Sequence, residues 1–466
     1  MNEGTTDTVA SAPTEKPEPT GPRPYRFPTF VRRTLANGIS IIVAPVAKLP
    51  VVTVLAMVEA GASFEPRGKD GVAALTARSM LEGAGNLDGV ALANRFERIG
   101  ASVEAHAGWD MAVVSLTTLS NRLPDALSLV RDLLRTPSFP DREIRRLKEE
   151  RLAELLQQRA DPRSLADEHF ARTVYAADAR YAAPEEGSAA SVRALTRDDI
   201  AAFHAEHYQP HGVTLIFAGA IAVDDAATLA GELFDDWRGG PAPRAPRDVD
   251  RPQVGRSVRI VAKADAPQSE LRVGHVGPPR NVPDYFDAMV MNAILGGLFS
   301  SRINLNLREK HGYTYGAFSA FEWRRGAGPF VVQTAVKSDV TGSAVKEILT
   351  EIERMRTTEI GEDELTLATS YLDGVFPIRY ETTASIATAL ANLVNHRLPE
   401  DFYDTYRTHV RNVTTQSVLK AAQQHLRPDA LRTVVVGDPT LVVESLQQVL
   451  GLAPEIVAVD AREGGR

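Results

Sequence analysis

The residue types that commonly carry out chemistry are sparse in this chain of 466 residues. There is no cysteine, so disulfide bonds and thiol catalysis are excluded. His204 and His207 stand at i and i+3, a spacing that places two side chains on one helix face, where they can share a metal ion. No Ser/His/Asp or paired-carboxylate arrangement stands out by spacing. An enzyme with an active site of that kind therefore has little support.

Two stretches carry a specific order of residue types. In the first, the segment Val58–Pro66 contains Gly-x-x-x-Glu and precedes an apolar, helix-forming run bracketed by Gly71 and Gly83. Positions 74, 77 and 78 of that run share one helix face. The second stretch reads Leu295-Gly296-Gly297, Ser300-Ser301-Arg302, Leu307-Arg308-Glu309, Gly312 and Tyr315. A phosphate-binding loop is disfavoured there because no Gly-Lys-Ser or Gly-Lys-Thr follows the paired glycines.

These stretches resemble the pitrilysin/insulinase zinc peptidases, or inverzincins, and within them the mitochondrial-processing-peptidase-like branch. The resemblance covers residues 29 to 452. In this family a His-x-x-Glu-His helix binds zinc through its histidines and activates water through its glutamate. The resemblance implies that Ala74, Ala77 and Arg78 occupy those three positions. Two methyl groups and a guanidinium cannot bind zinc.

The family's third zinc ligand is a glutamate further along the chain. The resemblance places it at Glu154, eight residues before Pro162, in a helix so rich in charge that Glu154 alone would be interpreted as a surface residue. We therefore expect a degenerate zinc site made of Ala74, Ala77, Arg78 and Glu154, with no metal or other cofactor in this chain. A buried Glu154 would need a partner, so we expect an ion pair with Arg78.

The second half of the chain keeps a pair of residues to which the family gives another task. Arg308 and Tyr315 are seven residues apart, as are the arginine and tyrosine that the zinc-free subunit of heterodimeric members supplies to its partner. The resemblance implies that Arg308 and Tyr315 are catalytic in trans, binding substrate and stabilising the transition state in the partner's site. The alternative is that Arg308 forms a surface ion pair and Tyr315 is a strand aromatic.

The predicted function is a non-catalytic subunit of a heterodimeric zinc metallopeptidase that acts on peptides. The expected partner is a homologous subunit with zinc in an intact His-x-x-Glu-His motif, and we expect the isolated chain to be inactive. The sequence leaves open a structural scaffold that resembles core proteins of respiratory complexes. In the family, the segment of His204 and His207 leads into a Tyr-x-Pro, matched here by Tyr208 and Pro210. We therefore expect surface histidines there.

The composition, with 44% hydrophobic and 24% charged residues, is ordinary for a soluble globular protein. A formal net charge of −8 argues against nucleic acid as a main partner. No run of about 18 apolar residues occurs, so no membrane span is expected. The N-terminal residues lack the basic and then apolar pattern of a secretory signal. We expect the cytoplasm if Met1 is the native start, and the periplasm if the native start lies upstream.

The chain length, the Pro/Gly-rich segment near its middle and the repeated order of elements predict two homologous domains. The predicted order is a disordered, proline-rich tail (1–28), an N-terminal domain (29–237), a Pro/Gly-rich linker (238–256), a C-terminal domain (257–452) and a tail (453–466). Each domain is predicted to be α+β, a mainly antiparallel sheet covered by helices, because strand and helix patterns recur in one order in both halves. The first two predicted strands form a hairpin around Asn37-Gly38. The resemblance implies that the two domains form one half-shell of a clamshell.

Overall fold

The computed structural model of the chain describes residues 24–240 and 249–459. The described residues form two consecutive halves, each containing a six-stranded sheet with helices packed on it. The predicted α+β class with two homologous domains is confirmed. Our expectations for residues 1–23, 241–248 and 460–466 lie outside the described residues.

The first half runs to residue 240. Its strands are β1 (Val31–Thr34), β2 (Ser40–Pro45), β3 (Val51–Val58), β4 (Gly83–Ala84), β5 (Leu87–Asp88), β6 (Ser102–Ala107), β7 (Ala112–Leu119) and β8 (Val213–Gly219). Its helices are α1 (Val72–Met80), α2 (Gly89–Arg98), α3 (Leu123–Arg135), α4 (Asp141–Ala160), α5 (Pro162–Val174), α6 (Ala189–Ala194), α7 (Arg197–His207) and α8 (Val223–Phe234).

The second half begins at residue 249. Its strands are β9 (Ser257–Ala262), β10 (Gln268–Val276), β11 (Ala317–Phe321), β12 (Pro329–Lys337), β13 (Arg432–Gly437) and β14 (Glu455–Ala458). Its helices are α9 (Tyr285–Asn292), α10 (Arg302–Asn304), α11 (Thr341–Thr357), α12 (Glu362–Arg379), α13 (Thr383–His396), α14 (Phe402–Arg411), α15 (Thr415–His425) and α16 (Pro439–Leu450). The segments Ala293–Gly297 and Leu305–Lys310, on either side of α10, are π-helical.

The strand orders of the two sheets show the duplication. The first sheet has the order β1-β2-β8-β3-β7-β6, and the second has the matching order β14-β9-β13-β10-β12-β11. In each, one parallel pair, β2 with β8 or β9 with β13, continues into antiparallel strands. The outermost strands differ: β14 runs parallel to β9, whereas β1 runs antiparallel to β2. The turn between β1 and β2 contains Gly38 at a φ of 92°, a conformation that favours glycine.

Each half contributes a helix to the sheet of the other half. From the first half, α5 packs on β10 and β13, where Leu165 and Phe170 join a buried cluster with Val434. From the second half, α13 packs on β3 and β8, and its Leu390 lies in one buried cluster with Ile216 of β8. Strand β8 is accordingly buried at every residue, as expected for a strand that is covered on both faces.

A buried arginine joins α5 to the second sheet. Arg272 of β10, which is 1% exposed, donates from Nε to Asp167 of α5 at 2.5 Å and from Nη1 to Glu270 at 2.7 Å. Because the guanidinium is enclosed, these two carboxylates offset the cost of burying its positive charge.

Several predicted boundaries are corrected by packing. Residues 24–28, predicted to belong to a disordered tail, lie against the second half: Phe27 is 4% exposed, and the Tyr25 hydroxyl donates to the carbonyl of Tyr380 at 3.0 Å. The burial of apolar surface outweighs the high proline content there. At the other end, residues 455–458, predicted to be tail, form β14 and complete the second sheet.

The predicted linker is also partly ordered. The amide of Gln253 donates to the carbonyl of Val174, and the carbonyl of Val249 accepts from the amide of Tyr181. Residues 249–253 therefore follow the surface of the first half instead of spanning freely between domains. Within the described ranges, the helices all fall short of the length and apolar character that crossing a membrane requires.

Candidate functional site

The face of α1 that carries positions 74, 77 and 78 is fixed by an unusual helix start. Gly71 precedes the helix with a φ of 93°, and a side chain there would meet the carbonyl oxygen of Glu186 at 2.7 Å. The carboxylate of Glu65 accepts hydrogen bonds from the backbone N–H groups of Gly71 and Ala73 at 3.0 and 2.9 Å. This carboxylate satisfies donors that the first helical turn leaves without intrahelical acceptors.

A buried ion pair holds Glu65 in place. Arg180 donates from Nε and Nη2 to one oxygen of Glu65 at 2.9 and 2.5 Å, and the Glu65 side chain is fully buried. Burial raises the pKa of Glu65 to about 7, although the charge of Arg180 and the two backbone donors act in the opposite direction. Nearby, burial also raises the pKa of Glu185 to about 7. This corner of the first half is therefore a dry, acidic support for α1.

The degenerate zinc site itself is occupied by an ion-pair network. Ala77 is fully buried and Ala74 is 8% exposed, so neither offers a polar atom. Arg78 donates from Nη1 to Glu154 Oε1 at 3.3 Å and from Nη2 to Glu186 Oε2 at 3.4 Å. The ion pair that we expected between Arg78 and Glu154 is present.

Two members of this network were not anticipated. Arg151 Nη1 lies 3.0 Å from Glu154 Oε2 and 3.2 Å from Glu186 Oε2, so two arginines and two glutamates share one cluster. Arg151 lies one helical turn before Glu154, which was a usable signal, whereas Glu186 reaches the site only through the loop that meets Gly71. Our expectation of a buried Glu154 was wrong, because its side chain is 42% exposed.

The charges of this network explain why it does not resemble a metal centre. Its two guanidiniums neutralise the two carboxylates, and a catalytic zinc would need three neutral or anionic protein ligands and an open position. Across the described residues, no group of three or more His, Cys, Asp or Glu side chains is arranged to hold a metal ion.

The histidines of α7 are not surface residues, contrary to our expectation. His207 is 4% exposed and packs on Phe203 and Phe64, while His204 stacks on Tyr208 and its Nε2 lies 3.0 Å from the carbonyl oxygen of Leu134. Burial lowers the pKa of both, that of His204 to about 4. His207 is therefore a neutral core residue and His204 a neutral, half-buried one, on a helix that packs against α1.

Arg308 and Tyr315 lie in the second half, on either side of the turn that leads into β11. Arg308 is in the π-helical segment Leu305–Lys310 and stacks on the ring of Phe299 at 4.4 Å. Tyr315 lies two residues before β11, so the alternative of a strand aromatic is wrong, and its side chain is 93% exposed. Its hydroxyl makes no hydrogen bond to any residue that the structure describes. No hydrogen bond within the described part of the chain therefore holds this exposed side chain in place.

Comparison with known proteins assigns the chain to a family. The family model described as "Insulinase (Peptidase family M16)" matches residues 42–183, and the model described as "Peptidase M16 inactive domain" matches residues 194–372. The chain belongs to the insulinase family. The recognised resemblance is thereby confirmed.

Individual insulinase-family relatives carry contrasting names. An "Uncharacterized zinc protease" of Rickettsia felis is 24% identical over 72% of this chain and 81% of its own length. The "Non-peptidase homolog YmxG" of Helicobacter pylori is 23% identical over 81% of this chain and 87% of its own. A crystal structure titled "peptidase M16 inactive domain" from Pseudomonas fluorescens matches with a TM-score of 0.82 and 26% identity, over 88% of this chain and 98% of that one.

The family and the geometry of α1 agree on the chemistry that this chain lacks. The positions on the α1 face carry two methyl groups and a guanidinium that is already bound to carboxylates. We conclude that the chain is a non-catalytic insulinase-family protein whose α1 face offers no zinc ligand.

A cleft of about 560 Å³ runs between the first sheet and α13 of this insulinase-family protein. Its lining combines the outer strand β6, through Glu104 and His106, with α13, through Asn392, and with Trp109 and Trp323. The two tryptophans supply large apolar surfaces, and the strand supplies polar ones, a mixture that is typical of ligand sites. Sequence reasoning missed this cleft because it depends on a helix from the other half.

Proposed function

We propose that this chain is the non-catalytic subunit of a heterodimeric zinc peptidase. Its partner is a homologous chain with an intact His-x-x-Glu-His motif, and the two chains face each other as the halves of a clamshell. In this proposal Arg308 and Tyr315 reach into the partner's active site, while the zinc stays with the partner.

The observation that carries the proposal is the exposure of Tyr315. A tyrosine side chain usually buries its ring, and one that is 93% exposed and unbonded gains nothing from the fold around it. Exposed aromatic residues of this kind are enriched at interfaces. Arg308 is also within reach of a partner, because its side chain is 33% exposed and its nearest carboxylate, Glu309, lies at 3.4 Å on the same turn.

The chemistry suits these two side chains. Hydrolysis of a peptide at zinc develops negative charge on the former carbonyl oxygen, and hydrogen-bond donors held near that oxygen stabilise the transition state. The hydroxyl of Tyr315 and the guanidinium of Arg308 are such donors. The cleft supports peptides as the substrate class, since its wall includes β6, an edge strand of the first sheet to which an extended peptide can add.

The experiment combines the zinc-bearing partner with wild-type chain, Arg308→Ala or Tyr315→Phe and measures peptide turnover. Each variant is expected to form the complex and to slow turnover by about 10²–10³-fold, the usual cost of removing one such donor. Tyr371→Phe and Arg95→Ala are matched controls, because both residues are exposed and lie on other helices. They are expected to leave turnover unchanged.

Wild-type turnover with assembled Arg308→Ala and Tyr315→Phe complexes would refute the proposal. The pair would then be structural. Co-purification with subunits of a membrane complex, in place of a zinc-bearing homologue, would favour the scaffold alternative.

A further inference from the structure

A second pocket, of about 290 Å³, lies between the two halves and contains a buried arginine without an acidic partner. Arg280, in the loop after β10, is 7% exposed. Its guanidinium forms no ion pair and no hydrogen bond with the part of the chain that the structure describes. A guanidinium remains charged at every physiological pH, and a buried charge is costly unless it is paired.

The surroundings of Arg280 show which part of its guanidinium is unsatisfied. The group stacks over the ring of Tyr285 at 3.3 Å and lies 4.9 Å from that of Phe402. Stacking on aromatic rings covers the flat faces of a guanidinium. Its N–H donors point outward in the plane and remain available for an acceptor.

Other groups in the wall of the pocket also have polar atoms without partners. The hydroxyl of Tyr181 and Nδ1 of His396 are both buried, and neither has a hydrogen-bond partner among the described residues. Burial raises the pKa of Tyr181, so its hydroxyl keeps its proton. Burial and the nearby charge of Arg280 lower the pKa of His396 to about 4, so its ring is neutral at physiological pH.

The remaining charged groups of the wall already have partners. Asp110 accepts from the backbone N–H of Arg325 at 3.1 Å, and Asp250 accepts from that of Ala327 at 2.6 Å. The Arg325 guanidinium binds Glu59 at 3.0 Å. Arg397, at the rim, is 68% exposed and lies 3.8 Å from Glu59. Asp110 and Asp250 keep their negative charges, but neither pairs with Arg280 among the described residues, so the free N–H donors of Arg280 are the part of the wall that a carboxylate would satisfy.

The pocket adjoins the cleft between the first sheet and α13. Asp110 and His396 line both, so the two spaces meet at the tip of the β6–β7 hairpin and the end of α13. A peptide that lies in the cleft can thus place its last residue at the pocket.

We propose that the Arg280 pocket binds a carboxylate, and that its source is the free C-terminus of a peptide lying in the cleft. The choice of a peptide as the source rests on the proposed function, whereas the carboxylate chemistry rests on the pocket alone. Arg280 is a specificity residue in this proposal, since it selects peptides with a free end.

The test measures binding to the chain alone, without the zinc-bearing subunit. The probes are fluorescein-labelled decapeptide pools without Asp or Glu, prepared as C-terminal acids and as C-terminal amides. Wild-type chain is expected to bind the acids at least roughly tenfold more tightly than the amides, as is typical of a hydrogen bond to a charged group. Arg280→Met is expected to bind both equally, and Arg95→Met, on the exposed face of α2, to behave as wild type.

Stability gives a second measurement. Because Arg280 has no ion-pair or hydrogen-bond partner among the described residues, and methionine can still pack on the rings of Tyr285 and Phe402, Arg280→Met is expected to keep the wild-type unfolding midpoint without peptide. A merely structural arginine would give a lower midpoint together with an unchanged acid-to-amide ratio. Arg280→Lys keeps the charge and is expected to retain part of the preference for acids.

Equal binding of acids and amides to wild-type chain, or no binding of either, would overturn the proposal. Weak binding of propionate that Arg280→Met abolishes, alongside equal binding of the two peptide pools, would overturn the peptide as the source and leave a pocket for small carboxylates. Because no turnover is measured, neither result depends on whether Arg308 and Tyr315 act in trans.

Discussion

Replacing Arg78 or Arg180 with alanine distinguishes two ion-pair sites that both support α1. Arg78→Ala removes contacts of 3.3 Å to Glu154 and 3.4 Å to Glu186, whose side chains are 42% and 37% exposed. Both glutamates keep Arg151 as a partner, at 3.0 and 3.2 Å. Solvent-exposed pairs contribute about 0–1 kcal/mol, so Arg78→Ala is expected to cost no more than about 1 kcal/mol.

Arg180→Ala acts on an enclosed site. It removes both donors to Glu65, whose side chain is fully buried, together with hydrogen bonds to the carbonyls of Ala183, Pro184 and Glu185. Breaking a buried pair by deleting one partner typically costs about 3–5 kcal/mol. The pKa of Glu65 is already raised above its ordinary value, and loss of Arg180 raises it further. A carboxyl with a raised pKa in the folded state loses stabilisation as the pH rises, so the penalty is expected to be larger at about pH 8 than at about pH 5.

The assay is chemical unfolding followed by circular dichroism at both pH values, with Arg95→Ala as an exposed control. A midpoint for Arg78→Ala as low as that for Arg180→Ala would refute the distinction between a hydrated network and a dry pair. An unchanged midpoint for Arg180→Ala would show that Glu65 caps α1 without an ion pair to Arg180.

Further outcomes follow from the same geometry. The purified chain is expected to contain no stoichiometric zinc by elemental analysis, and a chelator to leave its thermal midpoint unchanged; one tightly bound zinc per chain would contradict this. Because the pKa of Glu185 is raised to about 7, the folded state loses stabilisation as the pH rises from its unfolded pKa to 7. Glu185→Gln should therefore reduce the fall of the unfolding midpoint with rising pH over this range. Parallel pH profiles for the variant and wild type would argue against this. Arg272→Ala, which leaves the buried carboxylate of Glu270 only the distant, exposed Arg163 at 3.8 Å, is expected to cost about 3–5 kcal/mol. Asp167→Asn, at an exposed partner of the same arginine, should cost clearly less by chemical unfolding, and equal losses would contradict the account.

Local signals in the sequence were sufficient for much of the fold. The Asn37-Gly38 turn identified the first hairpin. The repeat of strand and helix patterns identified the duplication. Sequence periodicity could not show that α5 covers the sheet of the second half and α13 that of the first. An apolar helix face does not specify which sheet it contacts.

The candidate site could likewise be predicted only in part. The family resemblance placed Arg78 and Glu154 together, since it assigned both to neighbouring positions of one zinc site. Glu186 and Arg280 were missed because each reaches its site from a loop, and Tyr315 was assigned to a strand that begins two residues later. Burial was also misjudged at His207, where a polar residue type concealed a core position.

The exchange of α5 and α13 limits how this chain can move. Separating the two halves would uncover the second sheet beneath α5 and the first sheet beneath α13, and it would break the contact between Arg272 and Asp167. Neither half, cut from the other, would retain a complete core, so expressing them separately should give insoluble products. If the proposed two-chain clamshell is correct, it would therefore open between the two chains and not at the middle of this one, and this chain would move as one rigid body.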